Sequence, residues 1–513
     1  MRTLRRAPAW RPHPTDVAMM AVLGGFAVLG ALRTSGYYFV SDELLMIQQA
    51  SSASGFVTPY NGHLSLVVLA VLRALVEGFG FRHEPFQVLA VAGVLAPPLA
   101  LYVTTRPRLG RWLAGVLSLS LFAAGGLAFL PAEVNHHLAL LGAIGCAWAL
   151  EHPERSTGWL VASLCLSLSS AGGGVAVAVA CIVHCACVRA PAPRWWAVIV
   201  PSGLWVAWSI ASSDDVLSGS ATTWSEVAET TWQVIGRSFV ALGLHRLALG
   251  ALALALFGLL GGSLLQAGLR AAASWLAWTA ALVVWALGIT LERADNLDPA
   301  AFRYQYFAIG LILLAVVPRH PLPSGVSRAS LRLAPLVGTA VVLLVGGLRL
   351  DAAAEAPDAS EKHERASVLN RARFDIIQID PPVVDDRRRL PFPMGGLTAG
   401  ELRDLIRRYG APKAPQVDRQ LVDEGVIVSS SVPRGPARCD ALEEPALVVN
   451  ASGPRRLVLW TLDVDVRIEI RRFEEEWLFV DELPVLEGRA LSLPGLESDV
   501  PWQVRADGAC VRS

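Results

Sequence analysis

The sequence predicts an all-α polytopic membrane domain of about eleven spanning helices, followed by a small, mainly-β extracytoplasmic domain. Three observations predict it. Apolar runs separated by brief polar breaks recur up to Leu350. Charge is scarce: 17% of 513 residues are charged and 53% are hydrophobic, where a soluble protein carries about a quarter charged residues. After Asp351 charges become dense and the apolar pattern shortens to β-branched runs. The chain therefore divides into a transmembrane domain (1–350), a helical stalk and linker (351–424) and a β-sandwich-like domain (425–513).

A crossing needs roughly 20 apolar residues. The candidates are Asp16–Phe39, Pro85–Val103, Trp112–Leu130, His136–Leu150, Gly158–Ser170, Gly172–Val188, Trp195–Ser212, Leu247–Leu269, Ser274–Leu291, Phe302–Val317 and Leu331–Leu350. The basic start of the chain, Arg2, Arg5 and Arg6, precedes the first run without a small-residue cleavage pattern, so that run reads as an uncleaved span. Leu64–Phe79 is apolar but carries Arg73 and Glu77, and reads as a helix in the membrane interface. Arginines then gather on the N-terminal side: Arg106, Arg108 and Arg111, then Arg155, then Arg189 and Arg194, then Arg270, then Arg319, Arg328 and Arg332. The positive-inside rule places that side in the cytoplasm. An odd number of crossings leaves the tail outside. The expected location is a bacterial plasma membrane.

In the tail, Ser360–Ile379 reads as a helix and Pro381–Pro393 as a linker. Thr398-Ala-Gly-Glu401 is a capping-box pattern opening a helix that ends at Gly410. Strands are expected at Val426–Val428, Ala446–Val449, Leu457–Trp460, Val464–Ile470, Trp477–Val480, Ala490–Leu493 and Pro501–Val504. Cys439 and Cys510 lie in this domain and can pair outside the cytoplasm. The other cysteines sit in apolar segments as small hydrophobes.

A net charge of zero gives no case for nucleic-acid binding. The chemistry-bearing groups gather on the outward face: Asp42, Glu43, Asn61 and His63; Glu133, Asn135, His136 and His137; Asp214, Asp215, Glu226 and Glu229 in a long loop; Glu292, Arg293, Asp295, Asp298, Arg303 and Tyr304. Each has a bland reading. A carboxylate at a span end can be an interface anchor, Glu133 can cap a loop, Arg303 can meet lipid phosphates, and Tyr304 and Tyr306 can be belt aromatics. His136 and His137 lack the converging partners of a metal site, so no metal ligands are assigned and the cofactor is unknown, with a divalent ion left open.

The order of these features resembles the GT-C glycosyltransferases, a superfamily that includes protein O-mannosyltransferases and the aminoarabinose transferases of lipid A. The resemblance covers roughly Asp16 to Leu350. It lies in span one, the pair Asp42-Glu43, an interfacial helix, a span, the turn Arg108-Leu-Gly-Arg111, the polar loop Glu133-Val-Asn-His-His137 and the element Arg303-Tyr-Gln-Tyr306. Gly62-His63-Leu64-Ser65 stands where such proteins often have Pro-Pro-Leu. The resemblance implies transfer of a sugar, with inversion, from a polyprenyl-phosphate donor to an envelope glycan, lipid or protein acceptor at the outer face. Asp42 and Glu43 would be the catalytic carboxylates. His63, Glu133, His136, His137, Arg293, Arg303 and Tyr304 would bind substrate. The alternatives are a flippase or transporter, for which Ser169-Ser-Ala-Gly-Gly-Gly174 is the best feature, and an inactive envelope scaffold.

Overall fold

The chain is mostly helical in a computed structural model. The structure describes residues 13–33, 39, 41–60, 63–124, 133–152, 157–212, 224–242, 247–293, 302–317, 374 and 397–411, and in the tail 428–432, 440–441, 447–449, 455–461, 466–471, 478–483, 488–493, 502–506 and 509–512. The expected span 331–350, the stalk, the proline-rich linker, Asn61, Asp214, Asp215, Asp295, Asp298 and Cys439 lie outside the described residues. Two compact units alternate along the sequence. The first comprises Met1–Ser35, Gln49–Arg73 and Glu84–Pro357; the second comprises Gly36–Gln48, Ala74–His83 and Asp358–Ser513.

The helices are α1 (Pro14–Arg33), α2 (Ser41–Ala50), α3 (Leu66–Phe79), α4 (His83–Leu109), α5 (Arg111–Ala124), α6 (Val134–Glu151), α7 (Thr157–Leu168), α8 (Gly173–Val188), α9 (Ala192–Ala211), α10 (Trp224–Leu242), α11 (Leu247–Gln266), α12 (Leu269–Arg293) and α13 (Phe302–Val316). Pro14–Leu32, His83–Leu109 and Leu269–Leu291 are long and apolar enough to cross a membrane. Arg111–Phe122, Thr157–Leu168, Gly173–Val188, Gly250–Gln266 and Tyr304–Val316 are apolar but shorter. The 12 residues of α7 rise about 18 Å, less than a hydrocarbon core of about 30 Å, so that expected crossing is too short to span alone.

Without water to drive helices together inside a bilayer, small residues that let backbones approach carry the packing. The α8 and α12 helices pack on one another through surfaces rich in alanine, with Ala176 and Ala180 on one side and Ala273, Ala277 and Ala281 on the other all buried. At the crossing of α6 and α7 the contact is with backbone. A Cβ added to Gly142 would stand 2.6 Å from the Ser163 carbonyl oxygen and 2.9 Å from the Ser167 backbone nitrogen. The Ser167 hydroxyl donates to the Ala139 carbonyl at 2.9 Å.

One end of the bundle in the first unit is tied by charge. Asp16 at the start of α1 accepts from the Tyr102 hydroxyl (2.5 Å), Arg106 (3.3 Å) and Arg111 (3.4 Å). Arg108 pairs with Glu151 at 2.9 Å. Arg194 donates to the carbonyls of Leu150 (3.0 Å) and Ala149 (3.3 Å), near the C-terminus of α6, where free carbonyls and the helix dipole favour a cation.

At the opposite end, residues 224–242 form α10, where the sequence reading had a loop. Glu226 and Glu229 are on this helix, and its buried positions Val227, Val234, Ser238 and Ala241 follow the helical spacing. Thr231 donates to Thr290 at 3.3 Å, near the end of α12. The Val240 backbone packs against Gly250, near the start of α11. Because α11 and α12 are joined by a short turn and run antiparallel, both contacts belong to the same end. α10 therefore lies obliquely at that end instead of running the length of the bundle.

In the second unit, Phe39, Phe81, His83, Phe374 and Tyr409 form an aromatic group. The helix Ala399–Tyr409 opens with the expected capping box: Thr398 accepts from the Glu401 backbone at 3.2 Å, and the Glu401 carboxylate accepts from the Thr398 backbone at 2.7 Å. Its cap is Gly410, whose carbonyl accepts from the Phe81 backbone at 3.0 Å. The tail strands are β1 (Val428–Val432), β2 (Asp440–Ala441), β3 (Leu447–Val449), β4 (Arg455–Thr461), β5 (Val466–Arg471), β6 (Leu478–Leu483), β7 (Gly488–Leu493), β8 (Trp502–Arg505) and β9 (Ala509–Arg512). They form antiparallel sheets in the orders β1-β7-β4-β9-β2 and β3-β8-β5-β6. Glu469 pairs with Arg505 across β5 and β8.

Candidate functional site

The expected site residues fall in both units, and each group is described within its own. In the second unit, Asp42 and Glu43 occupy the first turn of α2, where the helix dipole favours carboxylates. Phe39, just before the helix, is fully buried and packs edge-on against Phe81 at 5.5 Å and His83 at 5.1 Å. Leu44, Met46 and Ile47 are buried on the helix itself. This anchors the start of α2. Successive helical residues point about 100° apart, and the pair divides accordingly. Glu43 is 0% exposed, whereas Asp42 is half-buried.

In the first unit, the bundle end opposite the ion pairs collects most of the other expected residues. Glu133 takes the N-cap position of α6, but its side chain does not cap the helix. Asn135 accepts from the His136 backbone at 2.7 Å. The His136 ring lies 6.2 Å from Trp285 and 6.5 Å from Tyr304. His137 meets Tyr306 edge-on at 5.0 Å and lies against Gly93, where an added Cβ would stand 3.3 Å from its Nδ1. Tyr304 and Tyr306 are 5% and 2% exposed, which corrects the reading of them as belt aromatics. Their rings face the bundle interior, towards two histidines far away in sequence.

The contacts continue across this end. Trp285 packs on Phe307 at 4.6 Å. Phe307 lies over Gly173, and the His63 ring lies over Gly172; an added Cβ would meet these rings at 2.6 and 2.7 Å. His63 is held by paired backbone hydrogen bonds with Tyr60, both 2.9 Å. The preceding turn is pinned by Gln49, whose amide donates to Gly55 (2.9 Å) and Thr58 (2.7 Å), and by the Trp208 indole, which donates to Val57 at 2.6 Å. Arg73, one of the two charges that marked α3 as interfacial, donates to the Ala50 carbonyl at 3.2 Å and so caps the end of α2.

His63, His136, His137 and Tyr304 are thus connected through Gly172, Gly173, Trp285, Tyr306 and Phe307, with Glu133 at the start of α6. Arg293 ends α12 and Arg303 is the second residue of α13, so their backbones belong to the same end. Their side chains lie outside the described residues. The sequence reading missed Trp285, Tyr306 as a buried partner, and the two glycines. The glycine run did carry a signal, since Gly172-Gly173-Gly174 opens a helix where two rings approach the backbone.

The His137 Nδ1, the Tyr306 hydroxyl and the Trp285 indole nitrogen are buried without a hydrogen-bond partner among the described residues. A buried polar atom left unpaired costs free energy, so such a group marks a place where a polar ligand or water is accepted. The set is neutral and can bind hydroxyl or phosphate oxygens. No group of three or more His, Cys, Asp or Glu side chains able to hold a metal occurs among the described residues.

No protein-family model matches the chain, and no curated protein matches it. Among solved structures it is similar to the crystal structure of ArnT from Cupriavidus metallidurans bound to undecaprenyl phosphate, at 15% identity, over 78% of this chain and 86% of that one, with a TM-score of 0.46. A likeness of this degree assigns no residue, ligand or activity to this chain.

Proposed function

We propose that this chain is an inverting membrane glycosyltransferase of the GT-C kind, moving a sugar from a polyprenyl-phosphate donor to an envelope acceptor at the outer face of a bacterial plasma membrane. The observation that carries the reading is the division of labour at the start of α2, with Glu43 sealed and Asp42 at the margin of the same anchored turn. Asp42 is the proposed base. It takes the proton of the acceptor hydroxyl as that oxygen bonds to the anomeric carbon, and the bond to the carrier breaks with its electron pair leaving on the phosphate. Glu43 holds the turn. His63, Glu133, His136, His137 and Tyr304 bind the donor's polar groups, and Arg293 and Arg303 offset charge developing on the leaving phosphate. The feature that suggested a transporter, Ser169-Ser-Ala-Gly-Gly-Gly174, forms the turn between α7 and α8 and the first residues of α8. Sugar transfer from polyprenyl-phosphate donors, in membranes carrying wild type or Asp42→Asn, tests the assignment.

In this reading about eleven spans leave the β-strand tail outside the cytoplasm. A reporter active only outside the cytoplasm, fused after Ser513, will then work. Activity of a cytoplasmic reporter alone would mean the span count is wrong by an odd number. Cys439 and Cys510 are expected to form a disulfide there. Strand β2, which follows Cys439 in sequence, pairs with β9, where Ala441 stands opposite Cys510. Closing so long a loop stabilises by about 4–5 kcal/mol in the chain-entropy model, less any strain. Non-reducing mass mapping that found both thiols free would rule the bond out.

A further inference from the structure

The start of α2 is fastened by residues of the tail, far away in sequence. α2 has 10 residues, too few to hold a helix by its own hydrogen bonds. Its position comes from what its first residues pack against. Phe39, just before the helix, is fully buried. Its ring meets Phe81 in the turn between α3 and α4, His83 at the start of α4, and Phe374 of the tail at 6.3 Å. Phe374 also meets Phe81, at 5.1 Å. All of these residues belong to the second unit, together with Asp42.

The tail reaches the same turn by a second, independent route. The helix Ala399–Tyr409 buries a continuous stripe, Ala399, Leu402, Leu405 and Ile406, and ends against the backbone of the α3–α4 turn. The Phe81 N–H donates to the Gly410 carbonyl at 3.0 Å, and the Tyr409 ring lies 6.3 Å from Phe81. Both sides of this joint need glycine. Gly80 has φ +63° and Gly410 has φ +76°, a region costly for other residues. A Cβ on Gly80 would stand 2.7 Å from the Tyr409 carbonyl oxygen and 2.9 Å from that of Gly410. A joint this close passes strain on instead of absorbing it. The path runs from either glycine to the Phe81 ring, then to Phe39 and the turn that carries Asp42.

We propose that Gly80, Phe81, Phe374, Tyr409 and Gly410 form a latch by which the tail positions the Asp42 turn, so that sugar transfer depends on a tail segment that touches no substrate. These are positioning residues, acting on the reaction through Asp42. That the positioned carboxylate is a base rests on the glycosyltransferase reading above; the latch itself does not.

The test uses the full chain in nanodiscs, with polyprenyl-phosphate mannose, glucose and aminoarabinose as donor probes. Gly80→Ala and Gly410→Ala should each lower kcat about 10–100-fold, the scale of misplacing a reacting group by about an ångström. KM for the donor should be unchanged, because Asp42 acts only as the new bond forms. In a chain carrying Asp42→Asn the same changes should have no further effect, since no base is left to position. Gly78→Ala is the control, because nothing lies within 4 Å of the added carbon. If Gly80→Ala does not fold, Gly410→Ala carries the test, since no atom lies within 4 Å of its methyl group either and only the backbone is strained. Hydrogen exchange reads the latch without a donor. In wild type, peptides covering 79–83 and 42–48 should be protected together, and Gly410→Ala should release both. Release of 79–83 alone, or no protection of 79–83 in wild type, overturns the latch. An equal loss of transfer with and without Asp42→Asn, or a raised KM at wild-type kcat, overturns it as well, because the contact then only supports the fold. Coupled release in a chain with no transfer activity would leave the latch standing and remove the glycosyltransferase reading. Transfer that needs Asp42 but runs at wild-type kcat in both latch variants would do the reverse.

Discussion

Asp42→Asn lowers sugar transfer by about 10²–10⁴-fold, the usual effect of losing a positioned base, while the protein still folds and still binds the donor. The asparagine keeps the shape of the side chain but cannot take a proton. Glu43→Gln behaves differently. Its carboxylate is sealed in the second unit, so the substitution acts on the turn that carries Asp42 and lowers transfer less. It should also change thermal stability, which Asp42→Asn should not. The measurement is transfer per folded molecule, with thermal unfolding run in parallel. If Glu43→Gln is the more severe in transfer at wild-type stability, the two roles are exchanged. If neither affects transfer, the assignment of the active site fails.

Gly142→Ala destabilises the membrane domain by about 1–3 kcal/mol, the range for forcing a methyl group into a filled interface. The obstruction is the Ser163 carbonyl oxygen, 2.6 Å from the new carbon. Backbone cannot swing aside as a side-chain end can, so α6 and α7 must separate. Separation weakens the Ser167–Ala139 hydrogen bond and shifts the start of α6, which carries His136 and His137. Gly203→Ala is the control, because nothing lies within 4 Å of the added carbon. Thermal unfolding in detergent that finds the two variants equally stable would show that α6 and α7 do not cross this closely.

The sequence made local features legible and non-local ones not. The capping box at Thr398 and Glu401 was readable because its parts are three residues apart. The strands were readable as β-branched runs, and all seven expected positions overlap observed ones, while the short edge pairing of β2 with β9 left no hydrophobic run to find. The helix α10 was missed because Glu226, Glu229 and Arg237 gave it the composition of a loop. Its signal was the spacing of Val227, Thr231, Val234, Ser238 and Ala241. Tyr304 and Tyr306 were misplaced for a different reason. A tyrosine at a span end suits a lipid boundary, and only the fold reveals that His136 and His137 come to meet it.

The oblique course of α10 sets how deeply the protein rides in its membrane. Trp224 and Trp232 are 79% and 61% exposed, and indoles settle at the level of the lipid headgroups. Glu226, Glu229 and Arg237 on the same helix are exposed as well, and charged groups favour the water side of that level. A helix bearing such groups acts as a float, and α10 is fastened to α12 five residues from Trp285 through Thr290. The histidines and tyrosines at that end therefore ride at a fixed distance from the waterline. In a thicker or thinner bilayer the spans tilt to adjust, while the float keeps that end of the bundle at the height where a lipid's headgroup is found.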